Sequence, residues 1–193
     1  MAAPPSVMTP QQYLESERVA LEKSEFINGQ LVAMSGVLRS HARIAMNLGA
    51  LLHSALRGTK CEGFTSDLRV AAPKKQNYFY PDLSVACESE FEDERQDTLI
   101  NPLVIFEILS KSTESYDRGP KFSKYRQIAS LRQYVLVSQS SQTIESYSRE
   151  GNGLWVLQDV EGPDSQLELK ALGITIPLRE IYERVEFISE NSN

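Results

Sequence analysis
The clearest periodicity in the chain lies between Ser40 and Arg57, where Ile44, Leu48, Leu51, Leu52 and Ala55 recur at helical steps and Gly58 follows as a C-terminal stop. That spacing places the apolar side chains on one stripe, so the segment is predicted to be a helix lying against a core. A shorter helix is predicted to start at Thr9-Pro10-Gln11-Gln12. Thr can cap the free N–H groups, Pro suits the first helical position, and the Gln three residues after the Thr completes a capping box. Between these two, Glu25-Phe26-Ile27 and Leu31-Val32-Ala33-Met34 flank Asn28-Gly29, a pair that tolerates positive φ, which predicts a hairpin over 24–34.

A β-rich middle follows. Cys61 to Ala72 ends at Pro73, Tyr78 to Cys87 carries Leu83, Val85 and Ala86, and Pro102 to Leu109 is almost wholly apolar. The run Leu103 to Leu109 lacks alternation, as a strand does when both of its faces are covered, yet it contains Glu107. Asp117 to Ala129 is predicted to be a helix with Phe122, Tyr125 and Ile128 on one side. Strands are predicted at Gln133 to Ser138, at Thr143 to Ser148 and, after the turn Gly151-Asn152-Gly153, at Leu154 to Val160. A short strand at Ile174 leads through Pro177 into a last helix with Leu178, Ile181, Tyr182 and Val185. This is an α/β pattern without repeat or linker, and it is read as one domain over 9–188 between loose ends at 1–8 and 189–193.

Composition narrows the function. The 193 residues suit one core, and 41% hydrophobic with 24% charged residues excludes collagen-like and wholly disordered classes. Twenty-six acids against twenty bases give a net charge of −6, so contact with nucleic acid must be local and metal-assisted. The window Lys111 to Arg132 runs against this trend, with six bases against two acids, while Glu88 to Asp97 holds six acids and one Arg and is read as a solvated loop. Cys61 and Cys87 are too few for a disulfide framework and fit a reducing cytoplasm. Met1 to Pro10 lacks the basic and apolar regions of a signal, and no apolar run approaches the roughly 18 residues of a membrane span, so a cytoplasmic, non-membrane protein is expected.

No phosphate loop, nucleophile elbow, paired-cysteine zinc motif or His-Glu-x-x-His helix is present. With His41 and His53 as the only histidines, a His-rich metal site is excluded. What remains is acidic: Asp82 follows Tyr80-Pro81, Glu107 lies in the apolar strand, and Lys121 follows on a helix. Two carboxylates on neighbouring strands can converge on one divalent ion, because an ionised carboxylate in an apolar strand needs a cation, a proton or a basic partner. Alternatively Glu107 is salt-bridged to a basic residue such as Arg118, and Asp82 caps a turn. Arg118, Lys124 and Lys111, from the basic window, are candidates for contacting DNA phosphates.

The sequence also resembles the Uma-type restriction endonuclease family of bacteria, a branch of the PD-(D/E)XK nuclease superfamily. The similarity rests on Glu25-Phe26-Ile27-Asn28-Gly29 with Met34-Ser35-Gly36, on His41 opening a helix, on Tyr80-Pro81-Asp82, and on Glu107-Ile108-Leu109-Ser110 with Ser112-Thr113. It continues through Asp117-Arg118, Lys121 and Tyr125, Leu131-Arg132-Gln133-Tyr134-Val135-Leu136-Val137, and Leu172-Gly173-Ile174-Thr175-Ile176-Pro177-Leu178 to Tyr182. The resemblance implies a mixed central β-sheet flanked by helices, with an antiparallel β extension. It implies Asp82, Glu107 and the Ile108 carbonyl as ligands of Mg²⁺ or Mn²⁺, with Glu25 in reach of the metal and His41 and Asp117 as auxiliary residues. The superfamily's usual lysine, two residues after the Glu, is Leu109 here, and the resemblance moves that role to Lys121.

The expected function is metal-dependent hydrolysis of DNA by a homodimer, with no organic cofactor. Two rivals share the fold: a catalytically silent binding module, which has no need of a competent ion site, and a hydrolase of small phosphate compounds.

Overall fold
In the computed structural model, which describes residues 8–73 and 76–187, α1 (Pro10–Glu17) opens the chain and carries the capping box between Thr9 and Gln12. The hairpin β1 (Ser24–Ile27) and β2 (Gln30–Ala33) turns through Asn28 and Gly29, both at positive φ, and leads to α2 (Arg39–Ala55). Then come β3 (Cys61–Thr65), β4 (Arg69–Ala71), β5 (Asn77–Phe79), β6 (Leu83–Cys87), β7 (Thr98–Leu99) and β8 (Val104–Leu109). A helical segment follows, made of α3 (Glu114–Tyr116), a π turn (Asp117–Lys121) and α4 (Phe122–Tyr125). The chain continues through β9 (Gln133–Ser138), β10 (Thr143–Arg149), β11 (Trp155–Glu161), β12 (Gln166–Leu169), β13 (Ile174–Pro177) and α5 (Leu178–Ile181).

The principal sheet is six-stranded, in the order β11-β10-β9-β8-β6-β3, and β8 and β9 pair in parallel while the other pairs are antiparallel. It is a mixed sheet flanked by helices, with β10 and β11 as its antiparallel extension. A second sheet, β2-β1-β5-β4-β7, and the ribbon β12-β13 pack around it. All six residues of β8 are buried. Val104, Phe106 and Ile108 join a core with Ile44, Leu48 and Leu52 of α2, and Ile105 and Leu109 join one with Phe122, Tyr125 and Tyr134. Coverage on both faces is why this strand shows no alternation.

Several segments differ from the sequence expectation. The run 61–72 breaks at a turn after Thr65, and its halves enter different sheets. The run 78–87 breaks at Tyr80-Pro81-Asp82, since Pro81 has no N–H to give a ladder. The helix expected over 117–129 begins earlier, at Glu114, and ends at Tyr125. Strand β12 is not among the expected elements, although Gln166-Leu167-Glu168-Leu169 alternates polar and apolar and its leucines are buried. Against the reading of Cys61 and Cys87 as thiols of a reducing compartment, the two stand directly opposite in the β3–β6 ladder and form a disulfide, a pairing set by strand register that two cysteines 26 residues apart do not reveal. Of the ends expected to be loose, residues 1–7 and 189–193 lie outside the described residues, as does residue 188, whereas Met8 packs against the Tyr13 cluster. Among the described residues no helix is long and apolar enough to cross a membrane.

The acidic run is tied down as well as solvated. Arg18 of α1 reaches Asp93 at 2.6 Å and Asp97 at 2.8 Å, and the buried Arg69 holds Asp97 at 2.7 Å and reaches the Tyr80 hydroxyl at 3.3 Å. The Arg18 hydrogen bond, followed by that of Arg69, holds the Asp97 carboxyl well below the usual aspartate value of 3.8, against the opposing effect of burial. A depressed carboxyl stabilises the fold above its unfolded value and loses that contribution as pH falls through the folded one. Asp97→Asn is therefore expected to cost about 2 kcal/mol at neutral pH. Urea melts at a series of pH values check this: the gap from wild type stays constant above about pH 5 and shrinks as pH is taken below 3.8.

Candidate active site
Strand β6 begins only at Leu83, which pairs with Phe106, so Asp82 comes to lie beside Glu107 at the open end of the ladder. Asp82 Oδ2 accepts the Ile108 N–H at 2.7 Å, and Oδ1 accepts from His41 Nε2 at 2.8 Å. In an extended strand the N–H and C=O of one residue leave on the same side. The Ile108 carbonyl therefore faces away from β9, into the gap that β6 leaves open, and Ile108 lines the cavity there.

Lys121 reaches the same place from the opposite layer. Pro120 cannot donate the N–H that an α-helix needs, and the backbone widens into the π turn over Asp117–Lys121, which buries Asp117 and Lys121. Lys121 Nζ stands 2.9 Å from Glu107 Oε1, 3.0 Å from Glu25 Oε1 and 3.7 Å from Asp117 Oδ1. Glu25 Oε1 also accepts the Tyr80 N–H, and Glu107 Oε1 accepts from the Tyr125 hydroxyl at 3.1 Å. These groups line a cavity of about 540 Å³, whose outer lip is the apolar segment Val32 to Leu38.

The electrostatics follow from burial. Glu107 is 4% exposed, and desolvation pushes its carboxyl well above the usual 4.5; the Lys121 ammonium opposes the shift, and Asp117, Asp82 and Glu25 reinforce it. Burial likewise raises Asp117, and Lys121 counters it. Burial pulls Lys121 down, but Glu107, Glu25 and Asp117 more than reverse this, so the ammonium stays charged. Three carboxyl groups, those of Glu107, Glu25 and Asp117, thus surround one ammonium, and Asp82 lines the same cavity. His41 Nδ1 and the Tyr116 hydroxyl, both from residues lining it, are buried without partners, and burial pushes Tyr116 up to about 12.

This donor set fits a hydrated Mg²⁺ or Mn²⁺. Such an ion takes one or two carboxylates and keeps several waters, which the two orphaned polar atoms could bond. Among the described residues no group of three or more His, Cys, Asp or Glu forms a ready metal cluster.

The structure brings together Glu25, His41, Asp82, Glu107, Ile108, Asp117 and Lys121, and Lys111 lines the same cavity. It does not bring Arg118 or Lys124 there. Arg118 pairs with Glu114 at 3.0 Å and Glu145 at 2.8 Å, so the basic partner of Glu107 is Lys121 and not Arg118. Lys124 reaches Asn28 Oδ1 at 3.3 Å on the outside, and His53 is exposed on α2. The local charge of the basic window is thereby partly absorbed within the protein. Leu109 lies on the same face of β8 as Glu107, packed in the core that contains Tyr125. Tyr116 and Tyr125 were not read as site residues, although Tyr125, one helical turn after Lys121, carried a usable signal.

The profile of a family described as "Putative restriction endonuclease", Uma2, matches residues 10–179. The chain belongs to the Uma2 family. Two uncharacterized proteins of Synechocystis sp. are similar to this Uma2 chain, one 36% identical over 96% of it and 97% of the relative, the other 34% identical over 90% and 99%. A crystal structure of "a putative nuclease belonging to DUF820" from Anabaena variabilis superposes with a TM-score of 0.74 at 17% identity, covering 91% of this chain and 97% of that one. At that identity the likeness speaks for the fold alone. The motif resemblance and the mixed α/β architecture are both borne out.

Removing the ammonium leaves Glu25, Glu107 and Asp117 without compensation, so Lys121→Met is expected to destabilise the metal-free Uma2 protein by about 3–5 kcal/mol. Adding Glu107→Gln recovers part of the loss, and denaturant melts at pH 7 measure both. Glu107→Gln alone keeps the Tyr125 bond and holds or raises stability. A carboxyl raised in the fold contributes stability that is full below its unfolded value, 4.5, and lost as pH climbs through the folded one, and Gln does not titrate. Asp82→Asn differs, since its amide nitrogen cannot accept from either His41 or Ile108, and a loss of about 1–2 kcal/mol is expected.

Proposed function
We propose that the protein is a Mg²⁺-dependent endodeoxyribonuclease, with Mn²⁺ able to substitute. The observation that carries this reading is the convergence of three carboxyl groups on one buried lysine, with Asp82 lining the same cavity, within a Uma2 chain. Asp82, Glu107 and the Ile108 carbonyl would hold the ion, with Glu25 beside them. When bound, the ion supplies a more acidic water and offsets charge developing on the scissile phosphate. Lys121 stays protonated among its carboxylates, so its part is to donate: it orients the attacking water or a phosphate oxygen rather than removing a proton. Asp117 and Glu25 fix that ammonium, and Tyr125 fixes the oxygen of Glu107 that faces it. Lys111 at the cavity and Lys124 beyond it are placed to meet neighbouring phosphates.

Nicking of supercoiled plasmid in Mg²⁺ tests this. Asp82→Asn and Glu107→Gln are expected to abolish cleavage. Lys121→Met, assayed below its melting temperature, lowers turnover by about two to four powers of ten. Lys124→Ala keeps turnover at saturating DNA and reduces the salt dependence of binding. Cleavage at wild-type rate by both carboxylate variants refutes the proposal.

Cutting both strands of a duplex calls for two sites, and we propose that a two-fold homodimer supplies them. Sedimentation at micromolar concentration showing a species with the mass of one chain would remove this part of the reading.

A further inference from the structure
We propose that His41 is a positioning residue that sets the orientation of the Asp82 carboxylate. The inference rests on the metal-site reading above and concerns a residue that reading does not require.

His41 lies in the first turn of α2. The buried residues of this helix are His41, Ile44, Leu48 and Leu52, so His41 heads the apolar stripe that docks the helix on the principal sheet. Packing of Ile44, Leu48 and Leu52 in the core with Phe106 and Ile108 fixes the rotation of the helix, and the bonds from Asn47 Nδ2 to the Ile181 and Glu183 carbonyls tie it down from the other side. A histidine on such a stripe cannot swing to solvent, and His41 is 7% exposed. Its ring therefore meets Asp82 in a geometry set by the core.

The chemistry of the contact fixes the donor. An ionised carboxylate only accepts, so the 2.8 Å contact requires a hydrogen on His41 Nε2. Nδ1 is buried and has no partner within the protein, in a side chain that lines the cavity. Asp82 is meanwhile held at both oxygens, by His41 at Oδ1 and by the Ile108 N–H at Oδ2. Two donors from two elements define the plane of the carboxylate, so its remaining lone pairs have one direction left, toward Glu107 and the cavity. A ligand carboxylate held from behind in this way pays less to order itself around an ion.

Titration of the full chain with MnCl₂ alone, followed by calorimetry, reads this without any turnover. Gln can place an amide N–H near the position of Nε2, whereas Asn offers a polar atom near Nδ1 and cannot reach Asp82. His41→Ala and His41→Asn are expected to weaken Mn²⁺ binding about 10- to 100-fold, while His41→Gln stays within about threefold of wild type. Thermal melts without metal confirm that each variant compared is folded, and the Gln and Asn pair decides the matter if the Ala variant is not. The inference fails if Asp82→Asn loses Mn²⁺ while His41→Asn binds as wild type does, or if His41→Gln is as weak as His41→Asn. If Asp82→Asn itself binds Mn²⁺ like wild type, the metal reading of the cavity falls first, and the role of His41 falls with it.

Discussion
A buried ammonium among carboxylates is the contact on which the rest of this architecture depends. Lys121 is 6% exposed and Glu107 4%, and neither charge is tolerable at that depth without the other. Such a pair contributes little net stability relative to an apolar pair of similar volume, because desolvation consumes most of the attraction. It persists where charge is needed for something else. Here the carboxyl groups outnumber the ammonium, with Glu25 and Asp117 added to a pair that Lys121 and Glu107 could balance by themselves, and burial together with this crowding pushes the Glu107 and Asp117 carboxyls up.

The fold positions this contact from several directions at once. Glu107 comes from a strand buried on both faces, Asp82 from a bend that Pro81 keeps out of the ladder, Glu25 from the hairpin of the second sheet, and Lys121 from a π turn that Pro120 imposes. Each side chain is held by the packing of its own element, so the site is rigid where its residues originate. The Tyr125–Tyr134–Phe122 stack beneath it closes one side to water and supplies the hydroxyl that Glu107 accepts. The outer lip, Val32 to Leu38, has no charged residue, so all the charge of the cavity lies on its inner wall.

Much of this was legible in the chain. The α2 stripe, the Asn28-Gly29 hairpin and the unbroken β8 run are local signals, and local physics produced them. Glu107 stood out because a carboxylate in an apolar run demands a partner, and Asp82 because a carboxylate in the run 78–87 could converge with it from a neighbouring strand. The identity of that partner was not legible: Arg118 and Lys121 lie on the same helical segment, and only the π turn, a tertiary consequence of Pro120, sends Lys121 inward and Arg118 out to Glu145. The cross-strand cysteines and the anchoring of the acidic run by Arg18 and Arg69 were illegible for a related reason. Strand register and contacts spanning 75 and 79 residues leave no periodic trace.

Under the proposed function, in which Lys121 takes the role of a lysine at position 109, the change of place has a physical reading. Residues 107 and 109 share a face of β8, and the helical segment that covers that face carries Lys121 and Tyr125. An ammonium delivered from the cover approaches Glu107 from above, whereas one delivered from position 109 would have to lie along the strand. In exchange, position 109 is free to be apolar and joins the core of Phe122 and Tyr125, which holds the covering helix down. The leucine that breaks the superfamily pattern thus helps seat the element that carries the replacement. On this reading the two positions are coupled: restoring a lysine at 109 would place a second buried ammonium under the helix, loosening the packing that keeps Lys121 in place.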